Sequence, residues 1–440
     1  MSRTAQPSPV QEAVVADLAQ DGRGIARVGG KAVFIEGALP GERVTFRVFK
    51  RRTQFDEARL ESVIESSPDR VAPACAHFGL CGGCSLQHLA PAAQVRAKQT
   101  QLLETLLRIG GVRPGTVLPP IGGAVWGYLR RARLGVKYVK KKQRVLAGFR
   151  ERKSPYLADL AHCEVLAPPL RDLPAQLAGL VETLELRERI PQVEVAVGDD
   201  AVALVFRIMD PAGDADRTKL AEFGRRIGVH VYLQPGGLAT VQPLGETPPP
   251  LNYRVSQDAV TIQFKPTDFV QVNATVNSAM VDQAIEQLQV RPTDRVLDLF
   301  CGLGNFTLPL ARRAGHVVGV EGDADLIERA RLNASTNSLS NTEFFTQNLF
   351  EPEAFGAWNS RVFDRVVLDP PRAGAQEVME RMSRWSPWRV VYISCHPGSL
   401  ARDARILTQT QDYELVAAGV MDMFAHTTHV ESIAVFERRP

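Results

Sequence analysis

The sequence is poor in cysteine, carries no marked excess of either charge and has no long apolar run. No stretch reaches the roughly 18 apolar residues that a membrane-spanning helix needs. The opening segment MSRTAQPSPVQEAVV has no apolar core of signal-peptide type, so the expected location is the cytoplasm. Six cysteines stand in 440 residues. In a long chain without a secretion signal, disulfides explain them poorly, and metal binding or catalysis is the better starting point. No long internal repeat is visible, which removes solenoid architectures. With 52 basic and 49 acidic residues the net charge is +3, too small to imply a polyanionic partner by itself.

The composition that remains is that of a globular protein, 45% hydrophobic and 23% charged. A chain of this length calls for two or three domains. Charge is concentrated locally. Between Leu129 and Lys153 stand Arg130, Arg131, Arg133, Lys137, Lys140, Lys141, Lys142, Arg144, Arg150, Arg152 and Lys153, against the single acid Glu151. Such an excess attracts a polyanion, although a solvated hairpin has the same composition.

Short alternating stretches at 12–18, 24–28, 31–35, 42–50 and 56–64 predict five strands, which fit a compact barrel of the oligonucleotide-binding type. The run Arg43 to Arg52 interleaves basic residues with Phe46 and Phe49, as a nucleic-acid face would. A helix is predicted over 94–109. From Arg131, apolar and basic residues alternate, predicting a strand that turns through 140–143 into a second. Strand-like stretches follow at 193–206 and 229–233. After Val276, strands at 294–300, 317–321, 344–347, 365–369 and 390–394 alternate with helices over 324–337 and 400–408, the signature of a parallel α/β sheet.

Two strand ends in that sheet carry chemistry. Asp298 to Thr307 reads D-L-F-C-G-L-G-N-F-T, a strand entering a glycine turn and then a helix. Gly302 and Gly304 allow close approach of a ligand, and Glu321 ends the next strand where a carboxylate can hold two ribose hydroxyls. The third glycine of a dinucleotide fingerprint is replaced by Thr307, and an acidic strand end such as Asp298 suits a methionine ammonium better than a phosphate. Asn348, after the third strand, is placed to read an adenine. These residues, with those downstream, favour S-adenosylmethionine. Asp369-Pro370-Pro371-Arg372 and Ser394-Cys395-His396-Pro397 then end adjacent strands with a carboxylate and a thiol. Uracil C5 is too weak a nucleophile to take a methyl group unless a thiolate first adds to C6; a base must afterwards remove the C5 proton. Cys395 and Glu431 are the candidates. Cys301 reads as core. His426 and His429 could orient Glu431 or contact RNA, or be structural.

Cys75-x5-Cys81-x2-Cys84 and the distant Cys163 supply four thiols, a number that suits either zinc or an iron–sulfur cluster. A shared cluster would pin the basic hairpin to the loop around Cys75.

Taken together these motifs resemble the RNA uridine-C5 methyltransferase family, and within it the bacterial 23S ribosomal RNA enzymes. The resemblance spans nearly the whole chain: the barrel, which is similar to a TRAM domain, the four cysteines, F-x-Q-V-N at Phe269 to Asn273, D-L-F-C-G-x-G-N-F, D-P-P-R, S-C-x-P and H-V-E-S. It implies a multidomain chain: a TRAM/OB-like barrel at 10–68, an α+β cluster-binding and RNA-binding domain at 69–93 and 125–264, and a Rossmann-like class I methyltransferase domain at 94–124 and 265–440. It also implies that Cys75, Cys81, Cys84 and Cys163 hold a [4Fe-4S] cluster. Gln271, Phe300, Asn305, Glu321, Asn348 and Asp369 are implied to contact S-adenosylmethionine, with Cys395 as nucleophile and Glu431 as base. The implied partner is 23S rRNA, with no membrane and no obligate protein partner. His396 departs from the asparagine common after the nucleophile in this family. The alternatives are a tRNA or another ribosomal uridine as substrate, or a non-catalytic iron–sulfur RNA-binding assembly protein.

Overall fold

The computed structural model describes residues 8–351 and 356–440. The chain divides into two compact units. One comprises the residues up to Gln101 with Ala425–Thr428, the other Leu102–Phe424 with His429–Pro440.

In the first unit, strands β1 (Val10–Leu18), β2 (Gly24–Val28), β3 (Lys31–Glu36), β4 (Arg43–Arg51) and β5 (Phe55–Glu65) close into a barrel in the order β1-β2-β3-β5-β4. Each strand falls within two residues of its predicted position, because alternation is enforced by a core on one face only. Val15, Ala26, Ile35, Val44, Phe46 and Ala58 fill that core. The structure modifies the expected nucleic-acid face on β4. Phe46 is wholly buried, and the basic side chains face acids of neighbouring strands: Arg43 meets Glu12 and Glu65, Arg47 meets Glu61, and Lys50 and Arg52 meet Glu57. Phe49 remains half-exposed, with Arg59 over its ring.

The barrel is closed at one end by Glu42, a carboxylate with no exposed surface. It accepts from the Leu39 and Ser67 amides and from two nitrogens of Arg70 at 2.5 and 2.8 Å. Burial raises its pKa, but these hydrogen bonds and the Arg70 charge outweigh burial and hold it below the ordinary value.

The predicted helix over 94–109 is a helix at Pro91–Thr105 followed by a π-helical turn, Leu106–Gly110. In the second unit, β6 (Thr116–Val117) precedes β7 (Arg131–Val139) and β8 (Arg144–Gly148), the two arms of the basic hairpin. The stretch predicted at 193–206 is two antiparallel strands, β9 (Gln192–Val197) and β10 (Val202–Arg207), because Gly198, Asp199 and Asp200 form a turn between them. With β11 (His230–Gln234) and β12 (Gln242–Pro243) they form a six-stranded sheet in the order β12-β11-β10-β9-β7-β8. A separate hairpin, β13 (Leu251–Val255) and β14 (Val260–Phe264), follows; alternation there is short and had given no prediction.

The remaining strands are β15 (Arg295–Leu299), β16 (His316–Glu321), β17 (Thr342–Thr346), β18 (Arg365–Leu368), β19 (Arg389–Ser394), β20 (Tyr413–Met421) and β21 (Glu431–Arg438). Their sheet runs β17-β16-β15-β18-β19-β21-β20-β6. Strands β15 to β19 are parallel and buried on both faces, hence their continuous apolar runs, while β21 enters antiparallel to both neighbours. Helices Ala274–Leu288, Ala324–Thr336 and Pro397–Thr410 accompany the sheet. Among the described residues no helix is long and apolar enough to cross a membrane.

Removing the Glu42 charge leaves Arg70 and two amides facing a neutral group. Glu42→Gln is expected to cost about 2 kcal/mol, the worth of a charged hydrogen bond, and to lower the thermal midpoint followed by circular dichroism.

Candidate active site

The site lies along the carboxyl edge of the parallel strands, within the second unit. Chain order reverses there: β16 lies on one side of β15 and β18 on the other, which opens a crevice beyond the strand ends. Asp298 is the penultimate residue of β15 and is completely buried. Its Oδ2 accepts from the Thr307 hydroxyl at 2.5 Å, while its Oδ1 is buried with no hydrogen-bond partner. Burial, with smaller contributions from Asp369 and Glu321 and against the Thr307 hydrogen bonds, pushes the carboxyl up to about 7.

Past β15 the backbone turns sharply. Phe300 has φ +62°, Gly302 +53° and Gly304 +92°. A side chain at Gly302 would meet nothing within 4 Å, so the turn presents open backbone toward the crevice. The Gly302 amide donates to Glu321 Oε2 at 3.2 Å, and the Gly322 and Asp323 amides donate to Oε1 at 2.6 and 3.2 Å. Glu321 is thereby fixed at the end of β16. The Phe300 ring lies 5.7 Å from that of Phe350, close in sequence to Asn348. Asn348 is exposed; its amide donates to Glu351 and its oxygen accepts from the Phe350 amide.

Asn305 is held by residues that pattern reading had not selected. Its oxygen accepts from the Tyr253 hydroxyl and from Asn277 Nδ2, both at 3.1 Å, and its own Nδ2 donates to Asn277 Oδ1 at 2.9 Å. Asn277 lies one helical turn after Asn273, whose side chain caps the helix Ala274–Leu288, so an i, i+4 reading could have found it. Tyr253 sits in β13, 52 residues before Asn305, and no local signal marked it. Gln271 donates to Asp369 Oδ2 at 3.2 Å. Burial pushes Asp369 up to about 6, with the Gln271 hydrogen bond acting against it.

Cys395 follows β19 and is half-buried. Because β21 pairs antiparallel with β19 and Ser394 lies opposite Ser432, Glu431 falls at the position facing the nucleophile. The geometry thus brings a thiol, the carboxylate of Glu431 and that of Asp369 into one place. Burial first, then Glu431 and Asp369, push the thiol up to about 11, with Arg372 acting in the opposite direction. Cys301 is buried and its thiol is raised well above the ordinary value, as expected of a core residue. His426 is structural: it belongs to the first unit, where its Nδ1 lies 3.1 Å from Gln94 Nε2 and its amide donates to Gln94 Oε1. His429 lies against the Phe424 ring.

Cys75, Cys81 and Cys84 belong to the first unit and Cys163 to the second. Burial raises the Cys81 thiol; the Gly83 amide donates to its sulfur, and Cys75 lies near enough to raise it further. Among the described residues no group of three or more His, Cys, Asp or Glu is arranged to hold a metal ion. The thiols are therefore not preassembled as a cluster site.

Comparison with known proteins agrees with this geometry. Residues 251–439 match the family model for tRNA (Uracil-5-)-methyltransferase, and residues 8–60 match the TRAM domain. The chain is 49% identical over 437 residues to 23S rRNA (uracil(1939)-C(5))-methyltransferase RlmD of Methylococcus capsulatus, covering 99% of each chain. It is 50% identical over 440 residues to the protein of the same name from Alkalilimnicola ehrlichii, covering 99% of this chain and 98% of that one. The fold is shared with the Pyrococcus abyssi tRNA (uracil-54, C5)-methyltransferase solved with S-adenosyl-L-homocysteine, at TM-score 0.74 and 24% identity over 97% of this chain and all of the other. Near-complete coverage at about half identity, with the thiol and two carboxylates gathered at one sheet edge, places the chain in the RNA (uracil-C5)-methyltransferase family.

Proposed function

We propose that this chain methylates C5 of a uridine in 23S rRNA, with S-adenosylmethionine as methyl donor. The observation that carries the reading is the convergence of Cys395, Glu431 and Asp369 at the ends of β19, β21 and β18. The full-length relatives named for the 23S rRNA reaction supply the substrate class.

The electrostatics of the crevice fit a cationic ligand. Asp298 and Asp369 are pushed up to about 7 and about 6. Carboxyls in that state are relieved by a nearby positive charge. The donor, when bound, supplies an electrophilic methyl group on a positively charged sulfur. Glu321 is oriented to accept from ribose hydroxyls, Phe300 and Phe350 offer aromatic faces to an adenine, and the unpartnered oxygen of Asp298 can accept from an ammonium. Asn277 and Tyr253 hold Asn305 in place, and Gln271 orients Asp369.

Cys395 rests as a neutral thiol, since its pKa is pushed up to about 11. Loss of its proton, helped by Arg372 and by the charge of a bound donor, gives the thiolate. Its sulfur bonds to uracil C6, and the C5–C6 π electrons move to O4 as an enolate. C5 then takes the methyl group, and the carbon–sulfur bond of the donor breaks with its electrons left on sulfur. Glu431 removes the C5 proton, the C5–C6 double bond re-forms and the Cys395 thiolate departs. The target base must leave its stack to reach the thiol. The exposed Lys141 and Lys142 at the turn of the basic hairpin fit a phosphate backbone. The barrel at 10–68 and residues 125–264 serve as RNA-binding parts, and residues 94–124 with 265–440 as the catalytic domain.

The proposal extends to Cys75, Cys81, Cys84 and Cys163 as ligands of a [4Fe-4S] cluster. The soft-donor chemistry of four thiols and the family resemblance support it; no catalytic step is assigned to the cluster.

Transfer of label from S-adenosylmethionine to unmodified 23S rRNA, compared with unmodified tRNA, tests the substrate. Label in 5-methyluridine of 23S rRNA alone is expected, and label in tRNA alone would reassign it. Cys395→Ser should abolish transfer while leaving donor affinity within about twofold. Glu431→Gln should instead accumulate a denaturation-resistant RNA–protein adduct carrying the methyl group, visible on denaturing gels. Donor affinity should fall as pH is lowered through the range where Asp298 and Asp369 gain protons, about 7 to about 6. Asp369→Asn should weaken binding by about tenfold and flatten the lower part of that dependence in calorimetry. Anaerobically purified protein should contain about four iron and four sulfide per chain, and Cys81→Ser should lose both.

A further inference from the structure

Cys395 is followed at once by the helix Pro397–Thr410, and the residue between them is the helix cap. His396 has extended backbone, φ −145° and ψ 103°, and its Nδ1 accepts from the Ser399 amide at 3.1 Å. Pro397 occupies the first helical turn, where a missing N–H costs nothing. The Ser399 hydroxyl donates to the Arg372 carbonyl at 3.1 Å, so the cap is joined to the turn that follows Asp369. The Ser394 hydroxyl accepts from the His396 amide at 3.1 Å, which closes the strand side of the same turn. A single imidazole nitrogen therefore stands where the nucleophile turn, the helix start and the Asp369–Arg372 turn meet.

We infer that His396, in its neutral form protonated on Nε2, is a positioning residue for the reaction proposed above, holding the Cys395 turn through the cap bond. The inference rests on that functional reading for its link to turnover. Nδ1 can accept only while it carries no proton. In the imidazolium, Nδ1–H would face the Ser399 N–H; it could still reach the Ser399 oxygen, 3.2 Å away, but the amide would lose its acceptor. An added positive charge is also opposed by the positive end of the helix.

The surroundings agree. Burial is the main cause that lowers the His396 pKa below 6.5, with Arg372 from the preceding turn and Arg402 from the helix adding to it. Arg402 itself pairs with Asp403, and Asp369 and Glu431 face the adjacent Cys395. A group with a depressed folded pKa contributes stability that is complete above its unfolded value and is lost as pH falls through its folded value. The cap is therefore intact above 6.5 and fails on the acid side.

Asparagine is a strong cap residue that does not titrate. His396→Asn is expected to keep turnover within about twofold of the parent near pH 8, whereas His396→Ala should lower kcat by about tenfold with little change in the donor KM. Asp298 and Asp369 titrate in both the parent and His396→Asn, so the ratio of the two rates isolates the imidazole. Between about pH 8 and about pH 5.5 the parent should lose at least about threefold more activity than His396→Asn, the acid range in which an imidazole titrates. The thermal midpoint of His396→Asn should rise relative to the parent over the same range, a readout independent of methyl transfer. A constant rate ratio together with a constant midpoint difference would overturn the inference. A parent that methylates no RNA at any pH, while the midpoint difference still grows toward acid, would overturn the functional reading and leave the cap assignment standing.

Discussion

The fixed hand and order of the parallel sheet is the constraint on which the site depends. Strands β15 to β19 run the same way, so the residues that follow them reach one edge whatever their separation in sequence. Antiparallel entry of β21 adds the beginning of a strand to that edge, and Glu431 arrives opposite Cys395 although 36 positions lie between their numbers. A one-residue slip of β21 would turn Glu431 toward the other face of the sheet. Register is protected by burial of Ile433, Ala434, Val435 and Phe436, each without exposed surface.

That edge concentrates negative charge in a poorly solvated place. Burial is the largest cause of the raised values at Asp298, Asp369 and Cys395, and neighbouring carboxylates add to it at Asp298 and Cys395. The resting crevice therefore holds protons that a solvated site would release. A cationic ligand exchanges with those protons, so donor binding and thiol activation draw on one electrostatic source. Glu321 is exempt, because three backbone amides already share its charge.

Support for the edge comes from side chains that do no chemistry. Thr307 fixes one oxygen of Asp298, and Asn277 and Tyr253 fix Asn305. Asp403, fully buried, accepts from the Tyr392 hydroxyl at 2.6 Å and the Ala375 amide at 2.7 Å, tying β19 to the segment after the Asp369–Arg372 turn. The π-helical turn Leu106–Gly110 leans on the helix that follows Cys395, with no room for a side chain at Gly110 beneath the Ala401 carbonyl. Positional precision at the thiol thus comes from several elements of the second unit.

The barrel strands and the parallel strands were legible in the sequence because their apolar patterns follow directly from one-sided and two-sided burial. The strand-end motifs were legible because parallel topology sends every such end to the same edge. Phe46 was misread as part of a nucleic-acid face, since alternation gives the period of a strand but not which phase faces inward. The β13–β14 hairpin was missed because its burial depends on Asn333 and Asn337, whose side chains bond its backbone from some 70 residues away. The sequence by itself determined the strand order of chemistry: glycine turn, ribose-facing acid, carboxylate, thiol and C-terminal base. Only the tertiary structure decided that Asn277 and Tyr253 orient Asn305, that Gln271 reaches Asp369, and that His396 caps the helix behind the thiol. Those are hydrogen bonds made across folded distances, and no spacing along the chain encodes them.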